Sequence, residues 1–231
     1  HWRFDDCQGT TANDSSGNAN SGTITVGATG TYTSMGTCPV SSASTMWYNG
    51  ATGKRNYSLA FDGTDDYVTM GDPASGVLDF GTGDFSLSAW IKSTDASGII
   101  MSKYTGGAGY DWLSEGGLKF NIQDAGGGTQ TAAQGTVADG NWHHVVVTAT
   151  RSGNAVQYVD GVSVGTTSIS SRSGTVSNSD SFRVGVRSNG LGFLVGQVDD
   201  TRVYNYALTA TQVKQLYTGF ATFYGPTTGA P

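Results

Sequence analysis

The sequence predicts an all-β protein, an antiparallel β-sandwich carrying one short C-terminal helix. Three observations predict it. Short runs of β-branched and aromatic residues recur from Tyr57 onward, and the clearest alternate with period two. Turn residues separate them, including the two-residue hairpin signals Asp160-Gly161 and Asn189-Gly190. Near the end the pattern changes once, to a helix start at Leu208–Val213. Many short strands with a single terminal helix bury their apolar faces by packing sheet on sheet.

Taken in order, residues 1–6 read as an edge or closing strand, with Trp2 and Phe4 on one face and Arg3 and Asp5 on the other. Residues 8–54 are dominated by Ser, Thr, Gly and Asn and offer only short apolar pieces, at Thr23–Val26 and Met46-Trp47-Tyr48. Leu59 and Phe61 alternate inward, Gly63 turns the chain, and Tyr67–Met70 begins the next strand. Phe85, Leu87, Ala89 and Ile91 alternate as a half-buried strand, leaving Ser86, Ser88 and Trp90 on its other face. Gly98–Tyr104 follows, then a Gly-rich loop at Thr105–Gly109, then strands at Lys119–Gln123 and Trp142–Ala149. Val156–Val159 and Val162–Gly165 form a hairpin around Asp160-Gly161, and Phe193–Tyr204 is the long closing strand. Thr209 is placed to cap the helix, with Gln212 as its reciprocal partner, Leu208 and Val213 as a hydrophobic staple, and Gly219 as the stop. Residues 1–219 are read as one domain and 220–231, with Phe220, Phe223 and Tyr224, as a tail or linker.

Composition narrows the function. The chain has 231 residues, 35 of them Gly and only 4 Pro, with 37% apolar content, which fits one large ordered β domain rich in tight turns. No stretch approaches the roughly 18 apolar residues a membrane helix needs, so membrane insertion is not expected. His1–Phe4 already reads as strand, so the expectation is a mature form or an excised domain. A net charge of −6 without any basic run makes nucleic acid and anionic membranes poor partners. Glu115 is the only Glu among 18 acidic residues, the rest being Asp, which suits turns and oxygen-rich metal loops. Cys7 and Cys38 are the only cysteines. A disulfide between them would close a loop of about 30 residues, adding roughly 3–4 kcal/mol, and fits secretion; two reduced thiols are the alternative. Asn13-Asp14-Ser15 and Asn56-Tyr57-Ser58 match the short N-glycosylation pattern.

Several residues carry candidate chemistry. Tyr104, Tyr110 and Trp112 flank Gly106–Gly109, with Asp111 between the last two, and could stack sugar rings while Asp111 takes hydroxyls; packing on the sandwich is the alternative. Trp47 and Tyr48 are a second aromatic pair of this kind. His143 and His144 are adjacent in a strand, so alternation sends them to opposite faces and a packing role is expected. Asp14 and Asn18 place two oxygen donors on a tight Gly-containing loop.

The stretch GQVDDTRVYNYALTATQV at 196–213 resembles the closing strand and helix of the laminin-G-like, concanavalin-A-like jelly-roll family. The family form runs Gly, Ile/Val, Asp, Asp/Glu, Val, Arg, Ile/Val, Tyr, Asn, Arg, Ala, Leu, Ser/Thr. Here Thr201 replaces the usual apolar residue and Tyr206 the usual Arg. Further family-like motifs are HWRFDD at 1–6, DSSGNANSG at 14–22, LAFDGTDDYV at 59–68, FSLSAWIKS at 85–93, NWHHVVVT at 141–148 and YVDG at 158–161. The resemblance implies that the Asp14–Asn18 loop meets the closing strand, so that Asp14, Asn18 and Asp199, with carbonyls near Gly63, hold a structural calcium ion. The alternative is that Asp14 and Asn18 cap their own turn while Asp199 pairs with Arg202 or Arg3. Glucanases of this broad fold use paired Glu on one strand, which this chain lacks. Asp65-Asp66 and Asp199-Asp200 are adjacent and point to opposite strand faces, so no catalysis is expected. The resemblance thus implies non-catalytic recognition or adhesion outside the cell, with a glycan or a surface protein as partner. A structural subunit of a surface filament, appendage or phage particle, self-assembling with other copies, remains open. So does a carbohydrate-binding module of a larger enzyme.

Overall fold

The computed structural model describes residues 1–38, 42–47 and 53–219. Its strands are β1 (Thr11–Ala12), β2 (Gly22–Thr25), β3 (Leu59–Asp62), β4 (Tyr67–Gly71), β5 (Phe85–Lys92), β6 (Ser97–Lys103) and β7 (Gly109–Glu115), followed by β8 (Leu118–Asp124), β9 (Gly127–Gln130), β10 (Trp142–Ala149), β11 (Asn154–Val159), β12 (Val162–Ser168), β13 (Phe182–Val184) and β14 (Val195–Tyr204). One helix, α1 (Ala210–Thr218), follows. Two antiparallel sheets result: eight strands in the order β1-β2-β4-β13-β6-β7-β8-β9, and six in the order β12-β11-β10-β5-β14-β3. Alternating residues of both, among them Leu87, Ile91, Val145 and Val147 facing Val68, Trp112, Phe120 and Phe182, interdigitate in one core. Phe85 sits at its aromatic centre, stacked on Phe80 at 4.3 Å and tilted against Tyr110 at 5.1 Å.

β5 is buried on both faces, not one. It lies between β10 and β14, and its outward side chains are covered from the second side. Ser86 Oγ donates to Tyr206 O and accepts from Leu208 N, at 3.0 and 2.9 Å. Ser88 Oγ lies 3.0 Å from His144 Nε2. Trp90 packs on the rings of His144 and Tyr217, with Lys54 Nζ 4.7 Å from its centroid. Here the two adjacent histidines part as alternation requires: His144 is buried, and burial pulls it down to about 4. His143 instead lies between Asp160 and Asp139; burial opposes its charge, but those carboxylates outweigh it and raise the pKa.

The 1–6 segment is not a strand. Trp2 alone bridges Thr201 and Asp14, while Phe4 and Cys7 adopt φ of 55° and 59°, which breaks an extended run. Cys7 and Cys38 are disulfide-bonded, with Cα atoms 5.3 Å apart. Asp160 and Gly161, at φ 51° and 79°, make the β11–β12 hairpin turn. Asn189-Gly190 also turns, Gly190 N donating to Arg187 O, but joins no ladder. The 220–231 tail, with Phe220, Phe223 and Tyr224, lies outside the described residues.

α1 ends as its sequence dictates. Thr209 Oγ1 accepts from Gln212 N, Gln212 Oε1 accepts from Thr209 N, and Gly219 closes the helix at φ 78°. Leu208, Val213 and Leu216 pack on Val146 and Tyr158 in a second, smaller cluster. Because the cap satisfies an otherwise unpaired N–H, Thr209→Ala is expected to lower stability by about 1 kcal/mol in denaturant unfolding. An unchanged midpoint would mean that tertiary packing alone holds the helix.

Candidate functional site

A cleft of about 900 Å³ opens where β14 ends, between the N-terminal segment, the Asp14–Asn20 loop and the 76–84 loop leading into β5. Tyr204 and Tyr206, both half-buried, meet edge to face there, with centroids 5.7 Å apart at 69°. Phe80 lines the same cleft, while Arg3, Asn18 and Asn205 bring exposed polar groups to it. Apolar ring surface beside hydrogen-bonding side chains is the chemistry of a saccharide or similar amphipathic ligand.

The cleft wall is shaped by an irregularity in β14. The register against β5 shifts between Asp199 and Arg202, and Asp200 takes φ 48°. At such a bulge strict alternation lapses, and both adjacent acids are buried, at 0% and 7% exposure. Asp200 is fully engaged: Arg202 Nη2 reaches both oxygens at 2.9 and 3.1 Å, and His1 Nε2 lies 2.5 Å from Oδ1. Asp199 has no such partner. Its Oδ2 accepts Arg55 N at 2.7 Å, its Oδ1 is buried without a hydrogen bond, and burial, with Asp200 and Asp5 nearby, pushes it up to about 8. Neither Arg202 nor Arg3 pairs with Asp199; Arg202 is taken by Asp200.

The four residues expected to share a calcium ion are not brought together. Asp14 accepts from Ser16 N, Asn20 N and the His1 amine at 2.8, 3.0 and 3.1 Å; burial raises its pKa, but these bonds outweigh it and hold it at about 2. Asn18 Nδ2 donates to Ser16 Oγ at 3.1 Å within the same loop. Gly63 packs against Val195 at the start of β14, so Asp199, four residues further along that strand, lies about 13 Å away at the ordinary strand rise. Acids do converge beside Gly63. Ligand oxygens of Asp62, Asp65 and Asp66 lie within 4.8 Å of one another. Asp66 is pushed up to about 6 by burial, helped by the charges of Asp62 and Asp65, and Asp65 Oδ1 is buried without a partner. No ion pair neutralises the three among the described residues. An uncompensated all-oxygen cluster with an orphaned acceptor could hold a metal ion.

The aromatic loop expected at 104–112 is corrected as well. Tyr110, Asp111 and Trp112 lie on β7 and are fully buried, because the Gly-rich stretch ends where the strand pairs with β6 and β8. Tyr110 Oη donates to Leu78 O at 3.0 Å, and Asp111 is locked between Ser102 and Arg187. Only Tyr104 stays half-exposed, its hydroxyl on Gln123 at 2.8 Å. Trp47 is buried, its Nε1 donating to Gly9 O at 2.7 Å, and Tyr48 lies outside the described residues. Sequence reasoning missed the Tyr204/Tyr206 pair, although Tyr-Asn-Tyr at a strand end is a visible signal, and missed Asp62 in the oxygen-rich run Asp62–Asp66.

A raised carboxyl pKa makes burial of Asp199 a growing liability as pH climbs from the unfolded value near 4 to the folded value of about 8. Below both values the acid is neutral in either state and carries no penalty. Asp199→Asn is therefore expected to gain stability over the parent at pH 8, on the order of a few kcal/mol, and little at pH 4. Urea unfolding at both pH values checks this, and an equal effect at both would refute it.

Comparison with known proteins fits this architecture. The binding domain of botulinum neurotoxin serotype G superposes with a TM-score of 0.62 at 17% identity, covering 89% of this chain and 47% of that one. The binding domain of paraclostridial mosquitocidal protein 1 gives 0.59 at 16% identity, covering 74% and 45%. The binding domain of botulinum neurotoxin DC, solved with rat synaptotagmin II, gives 0.54 at 16%, covering 71% and 42%. The present chain thus spans less than half the length of these relatives, and they share its fold. A comparison with curated protein sequences finds no match. A laminin-G-type family model described as Concanavalin A-like lectin/glucanases superfamily matches residues 62–214, and the chain belongs to that superfamily.

Proposed function

We propose that residues 1–219 form a non-catalytic extracellular recognition module that binds carbohydrate in the cleft beside Tyr204 and Tyr206. The carrying observation is the cleft itself: paired aromatic edges with exposed amide and guanidinium groups, while its lining acids Asp14, Asp79 and Asp84 are engaged by the His1 amine, Lys103 and the Arg151 N–H. Asp200 is consumed by Arg202 and His1, Asp199 faces Arg55, and Glu115, the only Glu, pairs with Lys119 at 3.2 Å. The Cys7–Cys38 disulfide supports an oxidising, extracellular setting. Among the described residues no helix is long and apolar enough to cross a membrane. The binding domains that share the fold support a binding role over a catalytic one, and one of them is in complex with a protein, rat synaptotagmin II.

Calcium belongs to this reading at Asp62, Asp65 and Asp66. When bound, it would supply a fixed positive charge at the turn around Gly63. These carboxylates already reach Gly27, Thr29, Thr31 and Tyr32 N–H groups, so the acids tie that turn to the 27–32 segment. The role is structural: relief of like-charge repulsion rather than contact with ligand.

A glycan array run in calcium and again in chelator tests both parts. Binding to a defined sugar, weakened about tenfold by Tyr204→Ala or Tyr206→Ala, is the expected result. No glycan binding in either buffer, with capture of a protein partner instead, would overturn the carbohydrate reading. The calcium reading expects the melting temperature to fall in chelator and the difference to vanish in Asp65→Asn; a parent indifferent to chelator would sink it.

A further inference from the structure

The eight-stranded sheet carries a row of polar residues on the side away from the core, open to solvent on β1, β2, β4 and β13 and covered at Ser102 and Asp111, which are fully buried beneath Arg187 and Ser188. Strand register aligns Thr23 with Thr69, Thr69 with Arg183, Arg183 with Ser102, Ser102 with Asp111, and Asp111 with Asn121. The open part continues onto the edge strand β1, so it spans β13, β4, β2 and β1, about 14 Å at the usual strand spacing. The neighbours on either side along each strand, such as Val68, Phe182, Val184, Trp112 and Phe120, point into the core, so these side chains point away from it. α1 packs on the other sheet, against Val146 and Tyr158. Among the described residues no helix covers this face; the Arg187–Ser188 segment covers it only at Ser102 and Asp111.

Arg183 carries the charge of that open part. The guanidinium lies over the Tyr67 ring, 4.9 Å from the centroid, and Nε is buried with no hydrogen-bond partner. The other charges on this face are spent locally. Arg187 is held by Asp111 at 2.8 Å, whose second oxygen takes Ser102 Oγ at 2.5 Å, and Lys119 by Glu115 at 3.2 Å. In a chain of net charge −6, a half-buried arginine that makes no ion pair among the described residues is an open receptor for an anion. Stacking on Tyr67 holds the planar fork in one orientation before any ligand arrives. The Thr69 and Thr23 side chains in line with it supply hydroxyl groups suited to sugar hydroxyls.

We propose that this face binds an acidic polysaccharide, with Arg183 pairing its anionic group and Thr69 and Thr23 its hydroxyls. The proposal rests on the reading that the module recognises saccharide, but none of the row lines the Tyr204/Tyr206 cleft, so the two sites fail separately.

The experiment is affinity electrophoresis of the full chain in gels containing polygalacturonate, dextran sulfate or neutral dextran. At least one acidic polymer is expected to retard the chain roughly tenfold more strongly than dextran. Arg183→Ala should abolish that preference with an unchanged melting temperature, and Arg183→Lys should keep part of it, while Tyr204→Ala should leave it intact. Stronger retardation by polygalacturonate would assign a carboxylate ligand, and by dextran sulfate a sulfate. Equal retardation by all three polymers, none by any, or an acidic preference undiminished in Arg183→Ala would overturn the proposal. Array binding lost in Tyr204→Ala would in each of those cases leave the cleft reading standing.

Discussion

A strand in the middle of a sheet that carries two adjacent acids must find somewhere to put their charge. In β14 the answer is a bulge. Asp200 in a left-handed conformation turns its carboxylate into a nest of cations, and Asp199 is left facing the backbone of the 53–57 segment. Arg55 then spans the gap, its backbone on Asp199 and its Nη2 on the carbonyl of Leu216 at 3.2 Å, so the same residue fastens a loop and the helix to the strand. Trp2 bridges Thr201 within the bulge, and the cleft wall begins at the next residue, Arg202. The geometry of the candidate site is thus set by how the protein accommodates one pair of carboxylates.

Much of this was legible in the sequence, and the legible parts share a cause. The capping box of α1, the Asp160-Gly161 turn and the long alternating strands β5, β10 and β14 are encoded within a few residues of themselves. What was misread depends on contacts far along the chain. Tyr110 to Trp112 look like loop residues because glycines precede them, and only pairing with β6 and β8 makes them core. β9 and β13, with sequences GGTQ and FRV, are too short to carry a period and exist because their neighbours present open edges. Residues 1–6 alternate like a strand, yet Phe4 reaches the core through a left-handed backbone. The calcium set failed for a similar reason. A turn rich in Asp is visible at 62–66, whereas the separation of Gly63 from Asp199 along β14 follows only from the register between β3 and β14.

The two sheets meet solvent differently. The six-stranded sheet spends its outward face on α1, on the Trp90–His144–Tyr217 stack and on a small second core. The eight-stranded sheet keeps its outer face polar, solvated on β1, β2 and β4 and covered at Ser102 and Asp111. A sandwich built this way has a structural back and a chemically varied front. The cleft at the sandwich end and the arginine-centred row are separate openings onto that front, each with its own charge balance.

The place of β14 in the chain also governs when the sandwich can exist. It lies between β5 and β3, pairing Gln197 with Ala60 and Lys92, residues more than a hundred positions earlier. Until the last fifth of the chain is available, both of those strands present unpaired edges and the barrier of closing a very long loop stands in full. The sandwich therefore closes only when that strand is in place, whereas the Cys7–Cys38 loop spans a sequence separation of 31 residues and lies wholly in the first part of the chain. For such a protein the vulnerable interval is the wait for its final strand.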